Sequence, residues 1–209
     1  MIKKALLALA ITGAMAAAQA TVVVNEGFDD VGTLAANGWI RTNASTPVGT
    51  TGWFQGDQQQ FVSQSGAPES YIAANFANAE AGGIINNWLI TPEFSTSSGA
   101  TVSFWLNAGV AAGYSDQVAF GFIDASGAVT TALLDSLMTV TGGGWTQYTA
   151  SIGYVPGSAR FAIQYTGLAN AANYIGVDSL IVDVPEPSSI LILAAGMIGL
   201  GAARRRKQA

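Results

Sequence analysis

Apolar and polar residues alternate with a period of two in several short segments of this chain, and this is its most constraining feature. Each such segment places its apolar side chains on one face of an extended strand, as in residues 101–107, 117–123 and 160–166. Turns rich in Gly, Ser and Pro separate the segments. Between residues 21 and 184 no long apolar repeat occurs at helical spacing. The pattern therefore predicts an all-β fold.

The same signals predict ten short strands, and that number at this spacing favours a two-sheet β-sandwich. The predicted strands are residues 22–28, 52–55, 71–75, 88–90, 101–107, 117–123, 129–135, 146–152, 160–165 and 174–182. Residues 31–49 are predicted to be mostly loop. The region is long enough to bury one hydrophobic core without disulfides, so we expect a single domain there.

The C-terminal end of the chain has three segments of distinct composition. Pro185, Glu186 and Pro187 come first, and the prolines lack the backbone donors that would continue a helix or sheet. An uncharged run, residues 188–203, would be about 24 Å long as a helix. Four cations follow, namely Arg204, Arg205, Arg206 and Lys207. Because such clusters stay in the cytoplasm, the order predicts a transmembrane helix with the preceding domain outside.

This arrangement resembles the PEP-CTERM sorting signal of Gram-negative bacteria. The resemblance covers residues 184–209 and implies that exosortase, a membrane protease-transpeptidase, cleaves the chain near Pro185, Glu186 and Pro187. The protein would reside only transiently in the inner membrane and then be released or passed to the cell surface. An ordinary C-terminal membrane anchor is the alternative, although nothing in a plain anchor requires the Pro-Glu-Pro sequence.

The N-terminal end has the three parts of a secretory signal peptide. Lys3 and Lys4 form a basic region, residues 5–18 are apolar, and residues 18–20 form an Ala-x-Ala cleavage site. An uncleaved anchor is the alternative, but the apolar run is short and rich in Ala. We therefore predict three parts: a signal peptide at 1–20, a β-sandwich at 21–184 and a sorting signal at 185–209.

The predicted exported region, residues 21–184, is strongly acidic. The chain has 8 Lys and Arg residues, but only Arg41 and Arg160 lie in this region, against 12 of the 13 carboxylates, which gives a net charge of −10. A region with so few cations should bind neither nucleic acid nor an anionic membrane surface. Its composition suits a solvated extracellular protein and calcium ligation through oxygen.

Several kinds of catalysis lack their usual residues in this region. It contains no His, Cys or Lys, so serine–histidine, cysteine–histidine and serine–lysine arrangements are excluded, and the common zinc ligands are missing. Two carboxylates could serve glycoside hydrolysis, but no pair is marked by its spacing. We therefore expect no catalytic residues and no enzymatic activity.

Five short motifs occur in order along residues 22–184. They are Asn25-Glu26-Gly27-Phe28-Asp29, Gly38-Trp39, Gly52-Trp53-Phe54, Asn87-Trp88-Leu89-Ile90-Thr91-Pro92 and Tyr174-Ile175-Gly176-Val177-Asp178. This order resembles the cleaved-adhesin, or choice-of-anchor J, domain. The resemblance implies a jelly-roll-like sandwich related to carbohydrate-binding modules, in a family whose members use several surface anchors.

The resemblance also implies one structural Ca²⁺ between the first and last strands. The matching positions are Glu26, Asp29 and Asp178. Asp178 stands in an apolar predicted strand, where an isolated buried carboxylate would be costly without a partner. The alternative is that Asp178 faces solvent or caps a turn.

Five tryptophans suggest sugar binding, because indole rings stack on sugar rings. We expect most of them to pack in the core. Trp105 alternates away from the apolar face of its strand, and Trp145 follows three glycines, so these two are the candidate glycan contacts.

Together these features predict a surface or extracellular-matrix protein with an adhesive or structural role in the exopolysaccharide layer. Its expected partners are exosortase and extracellular polysaccharide. A carbohydrate-binding module with a defined glycan ligand is the alternative function.

Overall fold

The computed structural model describes residues 20–129, 134 and 136–186, which contain thirteen β-strands and no α-helix. The strands are β1 (Ala20–Glu26), β2 (Ile40–Asn43), β3 (Thr46–Val48), β4 (Phe54–Gln55), β5 (Ile72–Asn75), β6 (Ala79–Ile90), β7 (Phe94–Ser95), β8 (Ala100–Ala108), β9 (Gln117–Asp124), β10 (Met138–Thr139), β11 (Thr146–Ile152), β12 (Ser158–Leu168) and β13 (Tyr174–Pro185). Three single-turn 3-10 helices lie at Val31–Thr33, Phe76–Asn78 and Ala169–Ala171.

Both predicted targeting segments lie essentially outside the described residues. The predicted transmembrane helix at 188–203 is not covered, and of the predicted signal peptide only Ala20 is described, as the first residue of β1. Within the part of the chain that the structure covers, no helix has the length and apolar character needed to cross a membrane.

The strands form two antiparallel sheets. The first sheet has the order β11-β8-β13-β5-β4, with β1 also paired to β13. The second has the order β10-β9-β12-β6-β2, with β3 paired to β6 and β7 paired to β12. The all-β two-sheet sandwich that the alternation predicted is confirmed.

The core lies between the two sheets and follows the predicted alternation. Val102, Phe104 and Leu106 of β8 are fully buried, whereas Trp105 between them is only half-buried. The ring of Phe104 lies 5.0 Å from that of Phe120 and 5.4 Å from that of Phe161, which joins the two sheets. Each such side chain stabilises the fold by roughly 1.5–3 kcal/mol through burial.

The structure corrects three of the predicted segments. Residues 31–49, predicted to be mostly loop, contain the short strands β2 and β3 and the 3-10 helix Val31–Thr33. The predicted strand 88–90 is only the end of the 12-residue β6, whose earlier part holds Gly and Asn residues of low strand propensity. Residues 84–90 of β6 pair with β12, and Ala79 and Ile84 pair with β3. Within the predicted strand 129–135, Val129 and Leu134 lie outside strands, and the other five residues are not described.

The last strand, β13, pairs with three other strands of the first sheet. One edge of β13 pairs with β8 along its length. The other edge is shared, because residues 174–177 pair with β5 and residues 180–185 pair with β1. Asp178 and Ser179 fall between these two partners, so the backbone there is free to depart from the ladder.

Candidate ligand-binding sites

A bulge in β13 turns Asp178 out of the regular strand. The register of β13 against β8 shifts between Asp178 and Ile181, and Ser179 has a φ of +48°. Such a φ is uncommon for a residue other than glycine and persists only where the surroundings fix it. The surroundings here are supplied by the loop between β4 and β5, residues 56–71, which approaches from outside the sheet.

The buried carboxylate of Asp178 anchors this β4–β5 loop. Its Oδ2 accepts hydrogen bonds from the backbone N–H groups of Gln64 at 2.7 Å and Ser65 at 3.1 Å, and its Oδ1 accepts from Ser179 N–H. Burial raises the pKa of Asp178, and these N–H donors oppose the rise. The side chain is fully buried, so it does not face solvent, and its partner is loop backbone.

Of the other two predicted calcium ligands, Asp29 lies near the same loop. Glu26 accepts a 2.7 Å bond from Phe28 N–H, and burial, with a smaller contribution from Asp29, raises the pKa of Glu26. A β-carbon built on Gly66 would lie 3.2 Å from Asp29 Oδ1, which places Asp29 beside the loop that Asp178 holds.

The three carboxylates do not form a ready-made cation site. Among the residues that the structure covers, no three acidic, His or Cys side chains are close enough to share a metal ion. Both oxygens of Asp178 already accept N–H groups, so the arrangement as it stands does not fit a calcium ion held by Glu26, Asp29 and Asp178 together. Calcium binding stays a prediction.

The β4–β5 loop also brings aromatic rings onto the outer face of the first sheet. The ring of Phe61 lies 5.0 Å from Tyr71 and 5.4 Å from both Trp145 and Tyr174. These rings rest on the backbone of β13, since a β-carbon on Gly176 would come within 2.8–2.9 Å of Phe61, Tyr71 and Trp145. A glycine is therefore required at that position for the rings to pack.

The structure places both candidate glycan contacts on this outer face. Trp105 lies opposite Gln147 of β11 on one side and Asp178 of β13 on the other. Trp145 precedes β11 and shares the face of Gln147, because side chains two apart in a strand point the same way. Trp145 is half-buried rather than free at a loop tip, and its Nε1 donates to the carbonyl of Val62 at 2.8 Å.

Trp145 forms one wall of a pocket of about 440 Å³. We call it the Trp145 pocket; Phe61, Val62 and Val110 contribute apolar surface, and Gln60 and Asn107 contribute amides. The side-chain oxygen Oδ1 of Asn107 already accepts hydrogen bonds from the N–H groups of Ala108 and Gly144. An aromatic wall beside a few amides is a surface suited to a sugar ring. Trp105 is not part of the lining.

Sequence reasoning missed a larger cleft of about 700 Å³, which we call the end cleft. Two rings that line it, Phe76 and Tyr114, are 52% and 54% exposed, and Glu80, Asn170 and Asn173 add polar groups. These residues come from two 3-10 helices, the start of β6, the segment before β9 and the segment before β13. No local pattern marks them, because only the fold brings them together.

Comparison with known proteins identifies the C-terminal segment. Residues 183–207 match the model of the PEP-CTERM protein-sorting motif. The chain carries a PEP-CTERM sorting signal. This motif is a surface-directed sorting signal and implies export, as predicted from the order of Pro-Glu-Pro, apolar run and basic cluster. No curated protein matches the chain in sequence.

Solved structures similar to the sandwich include two cleaved adhesin domains of Lys-gingipain from Porphyromonas gingivalis W83. The K1 domain matches with a TM-score of 0.57 and 19% identity over 78% of this chain and 97% of that domain. The K3 domain matches with a TM-score of 0.55 and 18% identity over 78% of this chain and 98% of that domain. At this identity the likeness shows the fold alone, and it confirms the cleaved-adhesin-like, jelly-roll-like sandwich.

Proposed function

We propose that this chain is an exosortase substrate that acts at the cell surface or in the extracellular matrix as an adhesive or structural module. The single observation that carries the proposal is the match of residues 183–207 to the PEP-CTERM motif. The signal peptide predicted at residues 1–20 supplies the export step, and the inner membrane is only a transient location.

The position of the motif relative to the sandwich supports release of an intact domain. The motif begins within β13, and β13 ends at Pro185. The pairing of β1 with β13 runs from Glu26 opposite Leu180 to Ala20 opposite Pro185. A cut near Pro187 would therefore leave every residue of this pairing on the domain side, and the sandwich would survive processing.

A non-catalytic role is supported by composition and by the fold of the similar structures. Residues 21–184 contain no His, Cys or Lys, and the described acidic residues form no group of three. The K1 and K3 domains that share the fold are adhesin domains. We infer that the module binds or supports other molecules and does not transform them.

Intact mass spectrometry of the protein from the surface and secreted fractions of its native host tests the proposal. We expect a form that lacks the residues after about Pro187, and a host without exosortase should accumulate the uncut form. An exported protein that still carries residues 204–209 would overturn the proposal and leave a plain membrane anchor.

Carbohydrate binding is a second candidate function, and the Trp145 pocket favours it. A half-exposed indole ring beside the amides of Gln60 and Asn107 offers stacking and hydrogen bonding to one sugar unit. A glycan array probed with the full chain tests this. Trp145→Ala should abolish the signal from neutral glycans, whereas Tyr114→Ala in the end cleft should not. If the wild-type protein gave no signal on the array, carbohydrate binding would be refuted and only the structural role would remain.

A further inference from the structure

The two arginines of the acidic sandwich have different surroundings. Arg160 donates to three backbone carbonyls at 2.8–3.0 Å, so it ties neighbouring segments together. Arg41 is exposed, and the one acceptor it reaches in the described part of the chain is the carbonyl of Trp53, at 3.4 Å. In a region of net charge −10, such a lightly engaged cation is a candidate for binding an anionic group.

Arg41 borders a small polar pocket at the edge of the sandwich. Its lining comes from β2, from the segment leading into β4 and from β6, and the pocket has a volume of about 300 Å³. We call it the edge pocket; its residues are Arg41, Asn43, Gly52, Trp53 and Asn87. It contains neither Trp105 nor Trp145, so it is distinct from the Trp145 pocket.

Two residues that line this pocket each carry a buried polar atom with no hydrogen-bond partner among the residues that the structure describes. These atoms are the indole Nε1 of Trp53 and the amide Oδ1 of Asn87, on residues that are 5% and 1% exposed. Buried donors and acceptors without partners are rare in folded proteins, and each one requires an explanation. Neither atom is open to water in this structure, so a ligand in the pocket must displace part of the pocket wall to satisfy them.

The hydrogen-bond network fixes which atom of Asn87 is free. Asn78 uses its Nδ2 to donate to Gly52 O at 3.0 Å and to Thr51 Oγ1 at 2.8 Å. Asn78 Oδ1 is therefore left to accept the Nδ2 of Asn87 at 2.8 Å. The remaining atom of Asn87 is an acceptor, and its orientation is set by residues that themselves contact backbone.

This set of groups selects for a particular ligand chemistry. The Arg41 guanidinium and the Trp53 N–H favour a carboxylate, whereas the free oxygen of Asn87 requires a hydroxyl donor. A fully ionised oxyanion cannot donate to Asn87, and a neutral sugar provides no countercharge to Arg41. The pocket volume is at the low end of the range for ligand sites, about 300–1,000 Å³, which gives room for one sugar ring.

We propose that the edge pocket binds one uronic acid residue, with its carboxylate toward Arg41 and Trp53 and a ring hydroxyl toward Asn87. The proposal deepens the proposed surface role and rests on it for the expectation that the uronate belongs to an extracellular polysaccharide. The edge-pocket proposal is tested by the binding of ligands to the purified protein. It can therefore fail while the sorting and processing of the proposed function succeed.

Isothermal titration of the full-length protein in a sugar-free detergent provides the test. The probes are D-galacturonate, D-galactose as its neutral counterpart, and trigalacturonate as a polysaccharide fragment. We expect saturable binding of galacturonate and none of galactose. Binding of trigalacturonate that equals or exceeds that of the monomer supports a polysaccharide source, whereas exclusion of the trimer would overturn that source.

Two variants and a matched control localise the site. Arg41→Gln and Trp53→Phe should each weaken galacturonate binding by at least about tenfold, because each removes a donor to a charged group. Trp105→Phe, the same change outside the pocket, should leave affinity unchanged. Equal binding of galactose, no binding of galacturonate, or loss only in Trp105→Phe would overturn the proposal. Arg41 is exposed, so Arg41→Gln decides the outcome if Trp53→Phe does not fold.

Discussion

The hydroxyl of Tyr165 donates a 2.6 Å hydrogen bond to the carboxylate of Asp116, and both residues are buried. Asp116 also accepts the backbone N–H groups of Asn173 at 2.8 Å and Tyr174 at 3.2 Å. One carboxylate therefore joins β12, the start of β13 and the segment that leads into β9. No ion pair is needed, because three donors compensate the buried charge.

Tyr165→Phe should destabilise the sandwich by about 1–3 kcal/mol, since it leaves the buried Asp116 carboxylate short of one donor. Urea unfolding of the full-length protein measures this free energy. Tyr154→Phe is the matched control, because Tyr154 is 70% exposed and its hydroxyl is solvated, and it should change stability little. Equal stability of the two variants would show that the Tyr165–Asp116 bond contributes nothing.

Alkaline pH should weaken the fold through two buried tyrosines. Burial raises the pKa of Tyr165, with a further contribution from Asp116, and burial also raises the pKa of Tyr174. A phenol in the unfolded chain titrates near pH 10 while the native one stays protonated, so stability falls above about pH 10 by roughly 1.4 kcal/mol per pH unit for each tyrosine.

Urea unfolding at several pH values between 9 and 11 checks this dependence. The free energy of unfolding should change little near pH 9 and decline above pH 10, and Tyr165→Phe should decline less steeply than the wild type. A decline of equal slope in both proteins would assign the alkaline sensitivity to other groups.

Asp178→Ala should release the β4–β5 loop, because it removes the acceptor of the Gln64 and Ser65 N–H groups. Hydrogen bonds to a charged group contribute about 1.5–3 kcal/mol, so the melting temperature should fall as well. Hydrogen exchange of the loop amides measures the release directly. Asp183→Ala, a half-buried carboxylate in the same strand, is the control, and faster loop exchange in that variant would contradict the assignment.

The calcium prediction has a separate test. If an ion binds the folded protein, the melting temperature falls with chelator and recovers with Ca²⁺ more than with Mg²⁺, and a hundredfold excess over Kd stabilises by about 2.7 kcal/mol. Asp178→Ala should then lose this response, whereas Asp183→Ala should keep it. An unchanged wild-type melt would refute the prediction and leave Asp178 as a loop anchor only.

Neutralising the basic cluster should impair sorting. The positive-inside rule predicts that Arg204, Arg205, Arg206 and Lys207 hold the tail in the cytoplasm while the acidic sandwich stays outside. Replacing all four with Gln should reduce processing near Pro187, as measured by the intact mass of the exported form. Processing at the wild-type level would show that the cluster is incidental.

Local patterns were sufficient to predict the class of fold and the presence of the sorting motif. Alternation along β8, β9 and β12 reports which side chains face the core, because a strand points successive residues to opposite faces. The sorting segment is likewise a linear sequence, and its order of proline, apolar and basic parts needs no tertiary contact to be read.

Local patterns failed where long-range pairing compensates for weak propensity. The first part of β6 contains Gly82 and Gly83, and β3 contains Pro47, yet all of these residues lie in the second sheet. The later part of β6, residues 84–90, pairs with β12 across more than seventy residues of sequence, and β3 pairs with β6 at Ala79 and Ile84. The Asn-Trp-Leu-Ile-Thr-Pro motif at residues 87–92 indicated the right kind of domain, but it did not indicate the length of β6.

The sequence by itself determined an acidic, cysteine-free all-β domain followed by a sorting signal. Only the tertiary structure decided what its polar residues contact. Asp178 finds loop amides 113 and 114 residues away, and Trp53 and Asn87 meet in one pocket with Arg41. The physical reason is that a hydrogen bond depends on distance and direction in space, and neither the spacing of residues along the chain nor their alternation specifies which loop will cover a given strand.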